Sequence, residues 1–358
     1  MQSSKNIPIG LYIHWPYCLS KCPYCDFAST AIAHPNENRL LQGYYRDLSR
    51  FLTNRPISTI FLGGGTPSLM SPAFLEKIFS YIQKKTTILS DAEITIEANP
   101  DAIDLPKMKA FHDLGINRLS LGVQSLRDTD LAFLGRRHTA QTALRRIDEA
   151  QAVFDNINID LIYARPHQTP TDWESELKQA LSLNLPHYSL YQLTIEEHTP
   201  FGHQGVRPAS EENAAALYCL TDRLMTEKGY PAYEISNYAR AGFECRHNLA
   251  YWHSCDYIGI GPAAHGRISL TATQNPCSVA EWLQNGTAVE TLTPSEKKTE
   301  RLLMGLRLRQ EWYSATDLNP KKVKKLVGQG LLEQGPDGVR PTLSGALVLN
   351  QIILELMD

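Results

Sequence analysis

The sequence predicts an α/β fold in which a parallel sheet curls part-way into an open (β/α)6 barrel. Three observations carry that expectation. Short apolar, β-branched runs recur at intervals of roughly 30 residues, the length of one strand–helix–strand unit. Amphipathic stretches fill the intervals between them. Conspicuous polar and glycine-rich residues follow successive strands, at the carboxyl end where barrel enzymes gather their chemistry. Strict alternation implies parallel pairing. Six units are too few for a complete eight-unit barrel, and although a doubly wound sheet also fits the alternation, the polar strand ends favour the partial barrel.

Taken in order, strands are expected near Gly10–His14, Thr59–Leu62, Glu93–Ala98, Arg118–Val123, Asn158–Tyr163 and Tyr188–Thr194. Helices are expected over Arg39–Leu52, Pro72–Lys84, Gln141–Val153, Thr171–Leu183 and Glu211–Lys228. Ser71 before Pro72, Thr171 with Asp172, and Ser210 with Asn213 supply N-terminal caps. After about residue 230 the alternation stops. Three segments are therefore expected: a core over 1–235, a connecting region over 236–293 rich in Gly and Pro, and a C-terminal module over 294–358. The module reads as helices, a strand pair joined by the Gly335–Gly338 turn, and a closing helix, in the manner of a winged helix. Lys321, Lys322, Lys324 and Lys325 invite a nucleic-acid reading, but a solvated basic helix face accounts for them more simply.

Composition narrows the function classes. Hydrophobic residues make up 42% and charged residues 20% of the chain, an ordinary globular balance. A net charge of −3 gives no field to draw the whole protein to nucleic acid or an anionic membrane. The first ten residues lack an apolar h-region and a small-residue cleavage site, and no uncharged run approaches the ~18 residues of a membrane span. The expectation is a cytoplasmic protein with no nucleic-acid partner and no stable membrane insertion. Seven unevenly placed cysteines argue against a disulfide framework in a reducing compartment.

Three of those cysteines crowd into Cys18-Leu-Ser-Lys-Cys22-Pro-Tyr-Cys25. A C-x3-C-x2-C loop brings three thiolates onto one soft metal centre. With three cysteines one iron of a cubane cluster lacks a protein ligand and stays open to a reactant. A zinc site completed by His14 is the alternative. Beyond the second strand, Gly63-Gly64-Gly65-Thr66-Pro67 lets backbone approach a ligand closely, or forms a tight strand–helix turn. Glu97 ends the third strand and can accept hydrogen bonds from ribose hydroxyls.

The cysteine spacing, with Tyr24 before the last cysteine, resembles the signature of the radical S-adenosylmethionine superfamily. Gly122-Val-Gln124-Ser125, Leu134-Gly-Arg136-Arg-His138 and Asn158-Ile-Asp160 resemble its oxygen-independent coproporphyrinogen III oxidase branch, over nearly the whole chain. The resemblance implies a radical SAM barrel with a [4Fe-4S] cluster on Cys18, Cys22 and Cys25 and S-adenosylmethionine against its open iron. It implies that Gly64, Gly65 and Thr66 lie closest to the methionine amino group. It also implies that Tyr12, Tyr24, Glu97, Gln124, Arg136 and Asp160 contact the cofactor. Chemically, Arg136 offers a guanidinium fork for a carboxylate and Asp160 an acceptor.

Two features separate oxidase from heme chaperone within this branch. The oxidase resembles C-x3-C-x2-C-x-C, but Phe27 stands where its further cysteine belongs. The segment His247-Asn248-Leu-Ala-Tyr251-Trp252 resembles the H-N-x-x-Y-W motif of the heme chaperones. Histidine is a usual axial ligand to heme iron, and flat aromatic side chains suit a porphyrin. His247 is the expected ligand, and His265, in Tyr257-Ile-Gly-Ile-Gly-Pro-Ala-Ala-His265, is a second candidate. The reading is a heme chaperone of porphyrin metabolism that hands heme to an apo-heme-protein acceptor, its cluster served by a reductant. Coproporphyrinogen III oxidase, or another radical enzyme of porphyrin metabolism, is the alternative. One departure from the family pattern is Tyr163-Ala-Arg165-Pro-His-Gln-Thr169, which brings a basic residue into the loop after the fifth strand.

Overall fold

The computed structural model of the chain describes residues 7–32 and 34–357. Residues 1–6, on which part of the expectation of no targeting segment rests, lie outside the described residues. The strands are β1 (Ile9–Trp15), the two-residue β2 (Tyr17–Cys18) and β3 (Thr30–Ala31), β4 (Ile57–Gly64), β5 (Ile88–Ala98), β6 (Arg118–Gln124), β7 (Asn156–Tyr163), β8 (His187–Gln192) and β9 (Asn237–Ala239). They continue as β10 (Tyr257–Ile260), β11 (His265–Ile268), β12 (Thr271–Gln274), β13 (Ala288–Thr291), β14 (Leu332–Gly335) and β15 (Gly338–Pro341). The described residues form two compact units, one from 7–161 without 33, 194–207 and 255–291, the other from 162–193, 208–254 and 292–357.

In the first unit β1, β4, β5, β6 and β7 pair in parallel in that order. Their apolar residues are buried almost without interruption, as expected of parallel strands covered by crossover helices. The helix Glu37–Phe51 buries Leu40, Leu41, Tyr44 and Leu48, one stripe at helical spacing. Ser71 caps the helix Pro72–Gln83 by accepting from the Phe74 amide, with Pro72 in the first turn. The helices Leu105–Asp113, Asp128–Phe133 and Ala140–Gln151, the last close to the expected Gln141–Val153, complete the intervals between strands.

The stretch expected to connect core and module contributes to this same sheet. β10 pairs in parallel with the free side of β1, and β11, β12 and β13 follow as an antiparallel meander. Each strand has only four residues, too few for alternation to be read, and the glycines of Tyr257–Pro262 suggest a loop. They are glycines because backbones touch there. A Cβ on Gly259 would meet the His265 carbonyl oxygen at 1.8 Å, and one on Gly261, at φ +93°, would meet the His14 carbonyl at 2.5 Å. Asp47 fastens the meander to the first helix. It is buried and accepts hydrogen bonds from Trp282 Nε1 (2.8 Å), Asn275 Nδ2 (2.9 Å) and the Gly261 amide (3.1 Å).

The second unit contains the antiparallel pair β8–β9 and the helices Pro170–Ser182 and Glu211–Glu227. Trp173 on the first of these helices donates to Thr221 on the second at 2.8 Å. The cap of helix Pro170–Ser182 is Thr169 and not Thr171. Pro170 takes the first helical position, and Asp172 returns a hydrogen bond to the cap, closing a capping box. Ser210 caps the other helix as expected. Residues 294–357 form the helices Pro294–Gly305, Pro320–Gly328, Leu343–Leu347 and Leu349–Met357 around the β14–β15 hairpin. They share a core of Leu302, Leu306, Val323, Leu326, Val339 and Ile352. Two of the four lysines of Pro320–Gly328 reach the last helix, Lys322 to the Glu355 carbonyl and Lys325 to its carboxylate, each at 2.8 Å. Among the described residues no helix is long and apolar enough to cross a membrane.

Candidate cofactor site

Cys18 ends β2, just beyond the carboxyl end of β1, and Cys22 and Cys25 sit on the loop between β2 and β3. Pairing of Tyr17 with Thr30 and Cys18 with Ala31 closes that loop at its base. The Cys25 amide donates to the Cys22 carbonyl at 3.1 Å, and Lys21 Nζ crosses the loop to the Phe27 carbonyl at 2.9 Å. Cys18 is buried, while Cys22 and Cys25 are half-buried. Burial pushes the Cys18 and Cys25 thiols up, and the nearby Lys21 ammonium opposes this at both. Arg136 donates to Cys22 Sγ at 3.4 Å. Cations beside the sulfurs favour the thiolate, the form that ligates metal. Among the described residues no three Cys, His, Asp or Glu side chains already converge at metal-ligand separation. The cysteines share a loop and not a preformed cage.

His14 is not placed to complete a zinc site. The carbonyl of Ala28 can only accept, so His14 Nε2 donates to it (2.9 Å), and Nδ1 is left to accept from the Tyr12 hydroxyl (2.9 Å). Both ring nitrogens are spent inside the fold. Burial also lowers the pKa of this ring, holding it neutral.

The glycine run is stitched to the entry of the cysteine loop. The Gly65 amide donates to the Trp15 carbonyl (2.7 Å) and the Thr66 amide to the Tyr17 carbonyl (2.8 Å). Side chains do not fit. A Cβ on Gly64, at φ +112°, would meet the His14 ring at 2.7 Å, and one on Gly65 would meet the Tyr17 carbonyl at 2.4 Å. The same run faces Glu97, whose Oε2 accepts from the Gly64 amide at 3.2 Å. Burial, followed by the neighbouring charge of Asp160, pushes the Glu97 carboxyl up to about 8. Asp160 in turn accepts from Asn158 Nδ2 at 2.7 Å. Tyr12 and Tyr24 are desolvated phenols held far above their ordinary range.

Arg136 is the hub joining these parts. Its Nη2 donates to Asn99 Oδ1 (2.5 Å) and to the Gly122 carbonyl (2.8 Å), while Nη1 points to Cys22. Asn99 passes the connection on, donating from Nδ2 to Thr66 Oγ1 at 2.9 Å. Gln124 closes β6 in the left-handed region, at φ 67°, an unfavourable conformation for a residue with a side chain. Thus Cys22, Thr66, Glu97, Gln124, Arg136 and Asp160 come from separate strands and loops of the first unit. Asn99 is the member that sequence reasoning missed. Its signal was present in Glu97-Ala-Asn99-Pro100, where a polar residue sits between a strand end and a proline.

The second expected site lies in the second unit. His247 and Tyr251 lie on the seven-residue helix Arg246–Trp252, and their spacing of four places them on one face. His247 is buried, and its Nε2 is hydrogen-bonded to the Tyr251 hydroxyl at 2.8 Å. The helix is anchored at its start, where the Cys245 amide donates to the Tyr233 hydroxyl (3.3 Å), itself bonded to His187 Nε2 (2.9 Å). His265 lies in the first unit instead, with an exposed side chain at the start of β11.

Comparison with known proteins bears on this arrangement. Residues 12–180 match the radical SAM superfamily. The chain is 35% identical to the heme chaperone HemW of Escherichia coli (strain K12), with 98% of each chain covered. It is 33% identical to the heme chaperone HemW of Buchnera aphidicola subsp. Schizaphis graminum, covering 99% of this chain and 100% of that one. The chain belongs to the HemW branch of the radical SAM superfamily. Its fold matches that of coproporphyrinogen III oxidase (HemN) from Escherichia coli, a radical SAM enzyme, with a TM-score of 0.83 over 99% of this chain and 91% of that one. At 22% identity that likeness speaks for the fold alone.

Within this HemW-branch chain two local features gain meaning. Phe27 is 63% exposed and lies on the cysteine loop, where it brings no thiol to the site. The departure Ala164-Arg165 is compensated inside the second unit. Ala164 adopts φ 57°, and Arg165 is buried, donating to the Ile162 carbonyl and to the buried Glu176 carboxylate, both at 2.6 Å. The basic residue that entered the loop is an internal ion pair, not a surface charge.

Proposed function

We propose that this chain binds heme and delivers it to an apo-heme-protein acceptor. We further propose that it carries a [4Fe-4S] cluster on Cys18, Cys22 and Cys25, with exchangeable S-adenosylmethionine. The observation that carries this reading is the end-to-end likeness to chains named as heme chaperones, at 33–35% identity. The residues at the carboxyl end of the first unit suit both groups. The donor set is three soft thiols with an arginine and a lysine beside them, and the glycine run keeps bare backbone beside them, where no Cβ fits. When bound, the cluster supplies one-electron chemistry, delivered through a reductant.

In this reading Gly64, Gly65 and Thr66 receive the cofactor's amino group, and Glu97 accepts from the ribose hydroxyls. Tyr12, Tyr24, Gln124 and Asp160 line the remainder. Arg136 holds the Cys22 sulfur, Asn99 and the Gly122 carbonyl in fixed relation. Phe27 argues against oxidase chemistry, and the composition supports a cytoplasmic location. His247 is assigned to heme iron, which requires its bond to Tyr251 to be exchanged for one to iron. The test is heme titration of anaerobically reconstituted protein. His247→Ala should shift or lose the Soret band with cluster content intact, and a wild-type chain that takes up no heme would overturn the function.

A further inference from the structure

We infer that the first unit presents its own ligand for heme iron, His265, so that the chain carries two heme stations and not one. The inference rests on the heme-binding reading and adds a site to it. His265 opens β11 with an exposed ring. Its imidazole makes no hydrogen bond or ion pair among the described residues. By contrast, the His247 ring is buried and already bonded to Tyr251. A neutral ring with a free lone pair is the form that ligates iron.

The backbone explains where this ring stands. β11 crosses directly over Gly259, where a Cβ would meet the His265 carbonyl at 1.8 Å. Gly259 in turn pairs with Tyr12 of β1. The tight turn at Gly261 packs against the His14 carbonyl. His265 is thereby brought within electrostatic reach of His14, at the end of the sheet that bears the cysteine loop and the glycine run. Two residues along β11, on the same side by strand alternation, Arg267 lies opposite Tyr257. An imidazole for iron, a guanidinium for a carboxylate edge and a phenol ring for a flat apolar face are the groups that a metalloporphyrin carrying carboxylates recognises. A solvated surface histidine would need no such placement.

The test uses the full chain, anaerobically reconstituted and titrated with hemin, as wild type, His247→Ala, His265→Ala and the double variant. Because the His265 side chain is exposed, cluster content and far-ultraviolet dichroism of His265→Ala should match wild type. One of the two bound hemes should be lost, and the His265-ligated component of the Soret and electron paramagnetic resonance spectra should disappear, leaving that of His247. Added imidazole should restore that component, and His247→Ala should retain it until His265 is also replaced. If His265→Ala binds heme with wild-type spectrum and stoichiometry, or if His247→Ala alone removes all binding, the second station is refuted and the heme reading stands. If the wild-type chain takes up no heme, both fail.

Discussion

Replacement of Glu97 by glutamine tests whether the carboxyl that faces the glycine run is neutral in the folded chain. Glu97 is enclosed beside Gly64 and close to Asp160, and its pKa is raised from the ordinary 4.5 to about 8. A carboxyl with a raised folded pKa keeps its proton in the folded state, while the unfolded chain releases it. The associated stability is complete below about pH 4.5 and drains as pH rises toward 8. Each pKa unit corresponds to about 1.4 kcal/mol, so the ceiling is about 5 kcal/mol. Relaxation and water entry around two interacting carboxylates bring the expectation to about 2–4 kcal/mol. Glu97→Gln keeps an oxygen for the Gly64 amide and cannot ionise. The variant should match wild type near pH 5 and exceed it by about 2–4 kcal/mol near pH 8, measured by urea unfolding of the reduced apo-chain at a series of pH values. A difference that stays flat, or that grows as pH falls, would mean that Glu97 is ionised when folded, with Arg118 as its counter-charge, and the argument would fail.

Three further outcomes are expected. Cys18→Ala, Cys22→Ala or Cys25→Ala should abolish a cluster of about four irons and four sulfides per chain, while Cys219→Ala should keep it; stoichiometric zinc without iron–sulfur absorption would count against the assignment. With Phe27 in place of a further cysteine, the reduced and reconstituted protein should not convert coproporphyrinogen III to protoporphyrinogen IX, and measurable turnover would overturn the chaperone reading. Arg165→Ala should destabilise the chain by about 3–5 kcal/mol, because the buried Glu176 carboxylate loses the guanidinium charge beside it. The paired replacement of both by leucine should recover most of that loss in the same unfolding assay.

Much of the first unit was legible because its signals are long and periodic. The eight residues of β4 and the fifteen of helix Glu37–Phe51 each repeat their pattern often enough to reveal the buried face. The four-residue strands β10 to β13 do not, and their glycines, required by backbone contact at Gly259 and Gly261, mimic loop composition. The candidate cofactor site was proposed from side chains whose chemistry is specific, such as three cysteines close in sequence. Asn99 was not, because asparagine serves many roles, and only the fold reveals that Thr66 and Arg136 meet on it. His247 was singled out by its motif as a candidate, yet no sequence pattern reports that its ring faces Tyr251 in a buried setting.

The Asp47 clasp sets a timetable for biosynthesis. Trp282, which donates to Asp47, lies 235 residues further along the chain, and the free side of β1 waits for β10 in the same late stretch. At about 5–20 residues per second of synthesis, roughly ten to fifty seconds separate the two halves of that contact on the ribosome. Throughout that interval one edge of β1 is bare and the cysteine loop hangs from an unfinished sheet, open to oxidation and to stray pairing. Because the strand that covers this edge arrives so late, the proposed loading of cluster and heme is most safely placed after release of the finished chain.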